Sequence, residues 1–406
     1  MFGTLRSLTR SAGFALRGRI NVTSELCPYC FDYFRMSETP FRCSTPVHCK
    51  KEVDPVLERR WRDRSPKGLV ITANGFARER ACPECDGKTK SRLCPNCHQE
   101  LPHTIGEFRN LIISVIGAKN SGKSCYLPVL IETLKKTVGP DLDFTIQTLN
   151  DDTARRYNRD YRERLFVQKR LLTATQSGLA NADVRLPLLF HLHFYDEHRN
   201  GQRSLTNLVT LAFFDTAGED MNSQDTMAHV NKYIYRSDGI ILLLDPLQLN
   251  SVRDRLKSDS RISLPDRDIE TSEIVTRLNH LIHAGQNLNA DAQIKIPLAV
   301  TLSKFDAIEN LVDPQLNVTR GSNHISGFDT ADFDTVNGEV QSLVDDWDGQ
   351  YLLDQVKSGF SRYAFFAMTA LGTAPDNNEV ANIRPKRVAD AFLWILHFHK
   401  LIKAKT

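Results

Sequence analysis

Beyond residue 110 the chain alternates between short, largely apolar runs and longer stretches whose apolar residues recur at helical spacing. The runs at 111–116, 186–194, 208–214, 240–244, 298–302 and 363–368 have the length and continuity of buried strands. Between them, 126–138, 151–172, 271–284, 334–355 and 384–403 read as helices. Within 151–172 the apolar positions are Tyr157, Tyr161, Leu165 and Leu172, and in the last helix Val388, Phe392, Ile395 and Leu396 fall on one side. Gly139-Pro140 is expected to stop the first helix. Asn200-Gly201 sits between the second and third runs and predicts a β-hairpin there. Trp347 is expected in the core. Strands alternating with helices predict an α/β domain built on a mostly parallel sheet.

The first 110 residues lack this periodicity and carry cysteines instead. Of nine cysteines, eight fall in pairs, and Cys125 stands alone. Cys27-Pro28-Tyr29-Cys30 can join Cys43 and Cys49 in one four-sulfur set, while Cys82-Pro83-Glu84-Cys85 and Cys94-Pro95-Asn96-Cys97 form a tidier second set. Four thiolates suit a closed, tetrahedral, structural Zn²⁺ site with no place for water. The spacing of Cys43 and Cys49 is irregular, so His48 in place of Cys49 and a cross-braced pairing, with the first knuckle joining a distal one, both stay open. Residues 25–103 therefore read as a zinc-binding module resembling zinc ribbons, 1–24 as a basic tail, and 102–108 as a linker.

Composition excludes more than it suggests. With 41% hydrophobic and 25% charged residues and a net charge of +3, the chain of 406 residues is an ordinary globular one. No apolar run approaches the ~20 residues of a membrane-spanning helix. Charge is uneven only locally: Arg6, Arg10, Arg17 and Arg19 precede the first acidic residue, Glu25, and fit a disordered basic tail better than a transit peptide or a membrane-surface helix. A second basic cluster, Arg59-Arg60-Trp61-Arg62-Asp63-Arg64, could serve nucleic acid, but a charged helix face with one packed Trp is the favoured reading. Paired cysteines without a secretory leader fit reduced thiols in a cytoplasmic protein. His191 and His193 share one strand face; solvent-facing histidines are favoured over metal ligands there.

Candidate chemistry begins where the first strand ends. Gly117-Ala118-Lys119-Asn120-Ser121-Gly122-Lys123-Ser124 is G-x-x-x-x-G-K-S between a strand and a helix, the setting of a phosphate-binding P-loop. Its glycines let successive N–H groups turn inward, Lys123 brings a cation to the β/γ oxygens, Ser124 can ligate Mg²⁺, and Cys125 opens the helix. Further on, the third run ends in Asp215-Thr216-Ala217-Gly218-Glu219, and the 298–302 run ends in Ser303-Lys304-Phe305-Asp306.

In this order the three motifs resemble those of Ras-like (TRAFAC-type) P-loop GTPases. The resemblance implies a three-layer α/β/α domain over 108–404, with Asp215 on Mg²⁺ through water and the Gly218 N–H sensing the γ-phosphate. It also implies that Asp306 reads guanine N1 and N2 and that the Lys304 stem lies along the base. Met368-Thr369-Ala370-Leu371 resembles the loop whose backbone N–H, here at Ala370, reaches guanine O6. The implied activity is slow GTP hydrolysis to GDP and phosphate, serving as a nucleotide-dependent switch on a protein partner. With its zinc module in front, the arrangement looks like bacterial double-GTPase type proteins of multi-component conflict systems.

Four departures from the Ras-like pattern matter. The interval of about 141–204 is an insertion in switch I, long enough to be functional and to contact a partner; Thr173 and Thr175 are the candidates for the switch threonine on Mg²⁺. Glu219 replaces the glutamine that orients the attacking water. Lys119 stands where glycine is common and could act as a cation in cis. Asn120 resembles the P-loop Asn of potassium-stimulated GTPases, which adds K⁺ to the expected Mg²⁺ and two Zn²⁺. A GTP-bound scaffold that does not hydrolyse, and a nucleotide-regulated nucleic-acid binder acting through the zinc module, are the alternatives.

Overall fold

The computed structural model of the chain describes residues 24–45, 49–72, 75, 77–118, 120–172, 186–197, 202–213, 231–257, 264, 271–347, 349–373, 375, 378–380 and 382–405. The basic tail at 1–23 lies outside the described residues. The chain divides between Asn110 and Leu111 into two compact units.

In the first unit, short two-stranded ladders surround the cysteines: Ser24–Leu26 with Tyr33–Arg35, Phe41–Arg42 with Val70–Ile71, Lys51–Val53 with Pro66–Gly68, and Arg80–Ala81 with Lys88–Thr89, all antiparallel. The α-helix among its described residues, Pro55–Trp61, is capped by Asp54, which accepts from the Val56 and Leu57 N–H groups. So small a unit has little apolar core of its own, as metal-dependent modules typically do.

The second unit is built on a seven-stranded sheet: β1 (Arg109–Gly117), β2 (Phe144–Thr148), β3 (Leu188–Glu197), β4 (Arg203–Phe213), β5 (Gly239–Leu244), β6 (Leu298–Leu302) and β7 (Tyr363–Ala367), in the order β2-β3-β4-β1-β5-β6-β7. The pairs β1/β5, β5/β6 and β6/β7 are parallel, and β2/β3 and β3/β4 are antiparallel. The expected hairpin is β3/β4. β2 and the helices that follow it come from the long interval after the P-loop, and β2 lies at one edge of the sheet.

Leu111, Ile113 and Val115 of β1 share one core cluster with helix α1 (Lys123–Thr133) and helix α5 (Asp390–Phe398). From the opposite face, the Ser114 hydroxyl donates to the Tyr233 carbonyl. Tyr235 then lies against Gly285 of α2 (Thr271–Gln286), where a Cβ would come within 2.2 Å of its ring. The sheet is thus covered on both faces, a three-layer α/β/α arrangement. Helices α3 (Thr330–Asp346) and α4 (Gln350–Gly359) complete the unit, with Trp347 buried between them in sequence.

Three helix expectations are corrected. Gly139-Pro140 does not end the first helix: a π-turn at Leu134–Val138 resets the hydrogen-bond register, so Pro140 falls in the first turn of a further helical segment, Gly139–Asp141, where its missing N–H costs nothing. The single helix expected over 334–355 is two, broken at Trp347 and Gly349. The last helix begins at Asp390 rather than 384, because Pro385 has no N–H and its neighbours pair as extended backbone: Arg384 N–H with Leu371 O at 2.8 Å and Lys386 N–H with Thr369 O at 3.0 Å.

Candidate nucleotide site and zinc centres

Register places the candidate loops together. Leu243 of β5 stands beside Gly117 of β1, Leu244 beside Leu302 of β6, and Leu302 beside Ala367 of β7. Three loops therefore leave one edge of the sheet: 117–124, 303–306 and 368–371. The carboxyl edge of parallel strands is where open α/β folds bind ligands.

In the first loop, a Cβ on Gly117 would come within 2.4 Å of the Leu243 carbonyl and 2.5 Å of Ser121 Oγ, so only glycine fits. Asn120 and Gly122 take positive φ, 62° and 87°, which curls the chain before α1 starts at Lys123. The Lys123 ammonium donates to the carbonyls of Gly117 at 2.7 Å and Ala118 at 2.8 Å, holding it across the loop mouth. Among the described residues Ser121 Oγ is buried with no protein partner, Ser124 is half-buried, and Cys125 is buried.

The second and third loops are tied to each other. Phe305 N–H donates to Met368 O at 3.1 Å. Thr369 Oγ donates to Asp306 Oδ1 and accepts the Gly372 N–H at 3.2 Å, which fixes the rotation of the Asp306 carboxylate. Lys304, at φ 50°, swings its ammonium to within 2.7 Å of Asp245 Oδ2. Ser303, in the Asn position of the motif, spends its hydroxyl on the Leu244 carbonyl at 3.0 Å. Ala370 and Leu371 follow directly in the third loop.

Sequence reasoning passed over Asp245, whose signal was its place as the first polar residue after an unbroken apolar strand. Lys119, Asp215, Gly218, Glu219, Thr173 and Thr175 lie outside the described residues.

A family comparison decides what this constellation belongs to. The sequence model of the family described as Double-GTPase 2 matches residues 111–347, more than half of the chain. This chain is a member of the Double-GTPase 2 family. It is a GTP-binding protein of that family, and the carboxylate, P-loop and Thr369 loop just described are its candidate nucleotide contacts. The chain is also similar, at 28% identity over 322 residues covering 75% of it and 78% of the relative, to a candidate ESX-1 scaffolding and assembly protein, SaeC, of Mycolicibacterium smegmatis. Among solved structures, the Arl6 BBS3 small GTPase of Trypanosoma brucei with bound GppNp aligns over 72% of this chain and 98% of its own, at 14% identity and TM-score 0.27.

In the first unit of the Double-GTPase 2 chain, the sequential pairing of cysteines is corrected to the cross-braced alternative. The first knuckle joins the last: Cys27, Cys30, Cys94 and Cys97 form one cluster and Cys43, Cys49, Cys82 and Cys85 the other. Sulfur separations of 3.8 Å (Cys27–Cys97), 3.7 Å (Cys30–Cys94), 3.6 Å (Cys43–Cys85) and 3.7 Å (Cys49–Cys82) match the edge of a tetrahedron around Zn²⁺ with Zn–S bonds of about 2.3 Å. The donor set fits zinc.

Three of the four half-sites share one local structure. Phe31, Asp86 and His98 follow the second cysteine at positive φ and donate back to the first cysteine's carbonyl at 3.0, 2.9 and 2.9 Å. The fourth half, Cys43 with Cys49, is not a knuckle, and His48 lies outside the described residues. Asp54 links the clusters: it pairs with Arg42 at 2.7 Å, next to Cys43, and with His98 at 2.9 Å, next to Cys97. Burial pushes the Asp54 carboxyl up, but Arg42 and His98 outweigh it and hold the group below its ordinary range.

Two of the four arginines of the basic cluster nearby are paired. Trp61 is buried and its indole N–H donates to Cys97 O at 3.1 Å, so its ring has no free face for a base. Arg60 pairs with Asp32, Arg64 with Glu58, and Lys67 with Asp63. His191 and His193 are half-buried on β3, and among the described residues neither joins a third ligand. His324, Asp332 and Asp390 do cluster, but the Arg387 guanidinium, with a side chain only 1% exposed, already bonds both carboxylates at 2.8 Å.

Proposed function

We propose that this Double-GTPase 2 member hydrolyses GTP slowly and acts as a nucleotide-dependent switch on a protein partner. One observation supports it most: the P-loop lysine and the Asp306 loop stand at the carboxyl ends of β1 and β6, the two parallel strands that flank β5, as phosphate and purine ends of one nucleotide require. Lys123 and the P-loop amides neutralise phosphate charge, and Asp306 accepts from guanine N1 and N2. Ser124 with Asp215 would hold Mg²⁺, which would supply further charge neutralisation at the phosphates. Thr369 holds Asp306 for its task, and Lys304 lays its stem against the base.

Glu219 in the water-positioning place makes intrinsic turnover slow, and Asn120 offers a ligand for stimulating K⁺. The insertion around 141–204 and the zinc module present the surfaces for the partner. Single-turnover hydrolysis of GTP by the purified chain tests the reading: slow phosphate release, faster for Glu219→Gln, is expected. No release even over hours and with K⁺ would favour the second reading, a GTP-bound scaffold, which the scaffolding name of the mycobacterial relative also favours.

A further inference from the structure

The two four-cysteine clusters are unequal in ways that zinc binding alone does not require. In the outer cluster, Cys27, Cys30, Cys94 and Cys97 are all 0% exposed. Both halves are knuckles with their return hydrogen bonds, and Phe31 and Leu93, the chain neighbours of Cys30 and Cys94, are themselves buried. In the inner cluster, Cys49 and Cys85 are partly exposed, and only Cys82-Cys85 is a knuckle. The apolar cluster around it is small: Phe41, Cys43, Ile71 and Cys82, with Leu69 packed against them. A lone hydroxyl, Thr45 Oγ1, lies 3.4 Å from both Cys43 Sγ and Cys85 Sγ, and it fits only because residue 87 is glycine, whose Cβ would come within 2.2 Å of it.

Resting on the zinc reading above, we propose that the outer centre is a permanent structural site and that the inner centre is a redox site, which gives up its metal to a hydroperoxide. The partly exposed Cys49 thiolate attacks hydrogen peroxide, taking one oxygen as sulfenic acid while the O–O bond breaks and hydroxide leaves. The Cys82 thiolate, 3.7 Å away in the same cluster, then attacks the sulfenic sulfur; the S–S bond forms and the S–O bond breaks, releasing a second hydroxide. Two thiolates are oxidised, one peroxide is reduced, and the zinc, left with Cys43 and Cys85, dissociates. Thiolate reactivity follows exposure, which the inner centre has and the outer centre lacks.

Release would loosen the strand pair Phe41–Arg42 with Val70–Ile71, which the inner centre ties to the 82–85 knuckle. The outer centre and the helix ending at Trp61 would stay in place. Oxidant would thus alter one face of the module without unfolding it.

The test uses the full chain, isolated reduced and with its zinc measured. Two zinc ions per chain are expected; titration with hydrogen peroxide, read with a chromophoric zinc indicator, should release one and keep the other until the protein is denatured. Peptide mapping after blocking free thiols should find Cys49 linked to Cys82, with Cys27, Cys30, Cys94 and Cys97 alkylated only after unfolding. A Cys49→Ser chain should carry one zinc and show no peroxide-released fraction. Release of both ions in one phase, release of neither, or a disulfide within the outer set overturns the proposal and leaves two-zinc binding standing. Fewer than two ions in the wild type overturns both.

Discussion

The Lys304 ammonium and the Asp245 carboxylate lie 2.7 Å apart, joining the loop after β6 to the end of β5, and the Asp245 side chain is 3% exposed while that of Lys304 is 35% exposed. Asp245 is held in turn by the Leu247 N–H at 3.0 Å. The pair ties the loop that carries Asp306, the carboxylate proposed to read the base, to the end of β5. Asp245→Asn keeps the Leu247 bond and removes the charge that holds the lysine. A hydrogen bond to a charged group contributes about 1.5–3 kcal/mol, and exposure of the lysine places this pair at the lower end. Titration calorimetry should show GDP and GTP weakened alike, by about tenfold, with no change in their ratio.

Arg387 is the fastening of the segment 317–324 onto α5. Its five N–H groups serve Asp332, Asp390 and the carbonyls of Arg320 and Asn317. Burial pushes the Asp390 carboxyl up, yet His324, Arg387 and Ser322 together keep it below its usual range. Arg387→Ala leaves the buried Asp390 and the half-buried Asp332 carboxylates without their cation and should cost about 3–5 kcal/mol in urea unfolding. Arg387→Lys should recover only part of this, since an ammonium cannot supply the guanidinium fork.

Acid stability carries a signature of β3. Burial, and then the neighbouring His193, push His191 down to about 4. An unfolded His binds its proton near pH 6.5. Between that value and about 4 the unfolded chain takes up a proton that the folded chain refuses, so this contribution is fully present above pH 6.5 and is lost progressively as pH falls toward 4, below which it changes no further. Thermal unfolding at pH 7 and pH 4.5 should therefore show a larger acid-induced drop for the wild type than for His191→Gln.

Local features of this Double-GTPase 2 chain were legible in its sequence, and features made by distant pairing were not. The P-loop at 117–124 and Ser303-Lys304-Phe305-Asp306 could be read because each is a short loop following a continuous apolar strand. The zinc pairing could not, since Cys27 and Cys97 are seventy residues apart and only the folded ladders bring the outer knuckles together. The start of α5 was misplaced because 384–386 has helical spacing, yet its backbone is claimed by Thr369 and Leu371. Arg387 and Asp245 drew no attention for a related reason: both act through partners more than fifty residues away.

The central claim is that Asp306, steadied by Thr369, selects guanine while Lys123 holds the phosphates of the same nucleotide. Calorimetric titration of the nucleotide-free wild-type chain with GTP and with ATP, each in Mg²⁺, tests it most directly, with Asp306→Ala run beside it. The account predicts saturable binding of GTP, no measurable heat from ATP, and loss of the preference in Asp306→Ala. Equal affinities of the wild type for both triphosphates would contradict it.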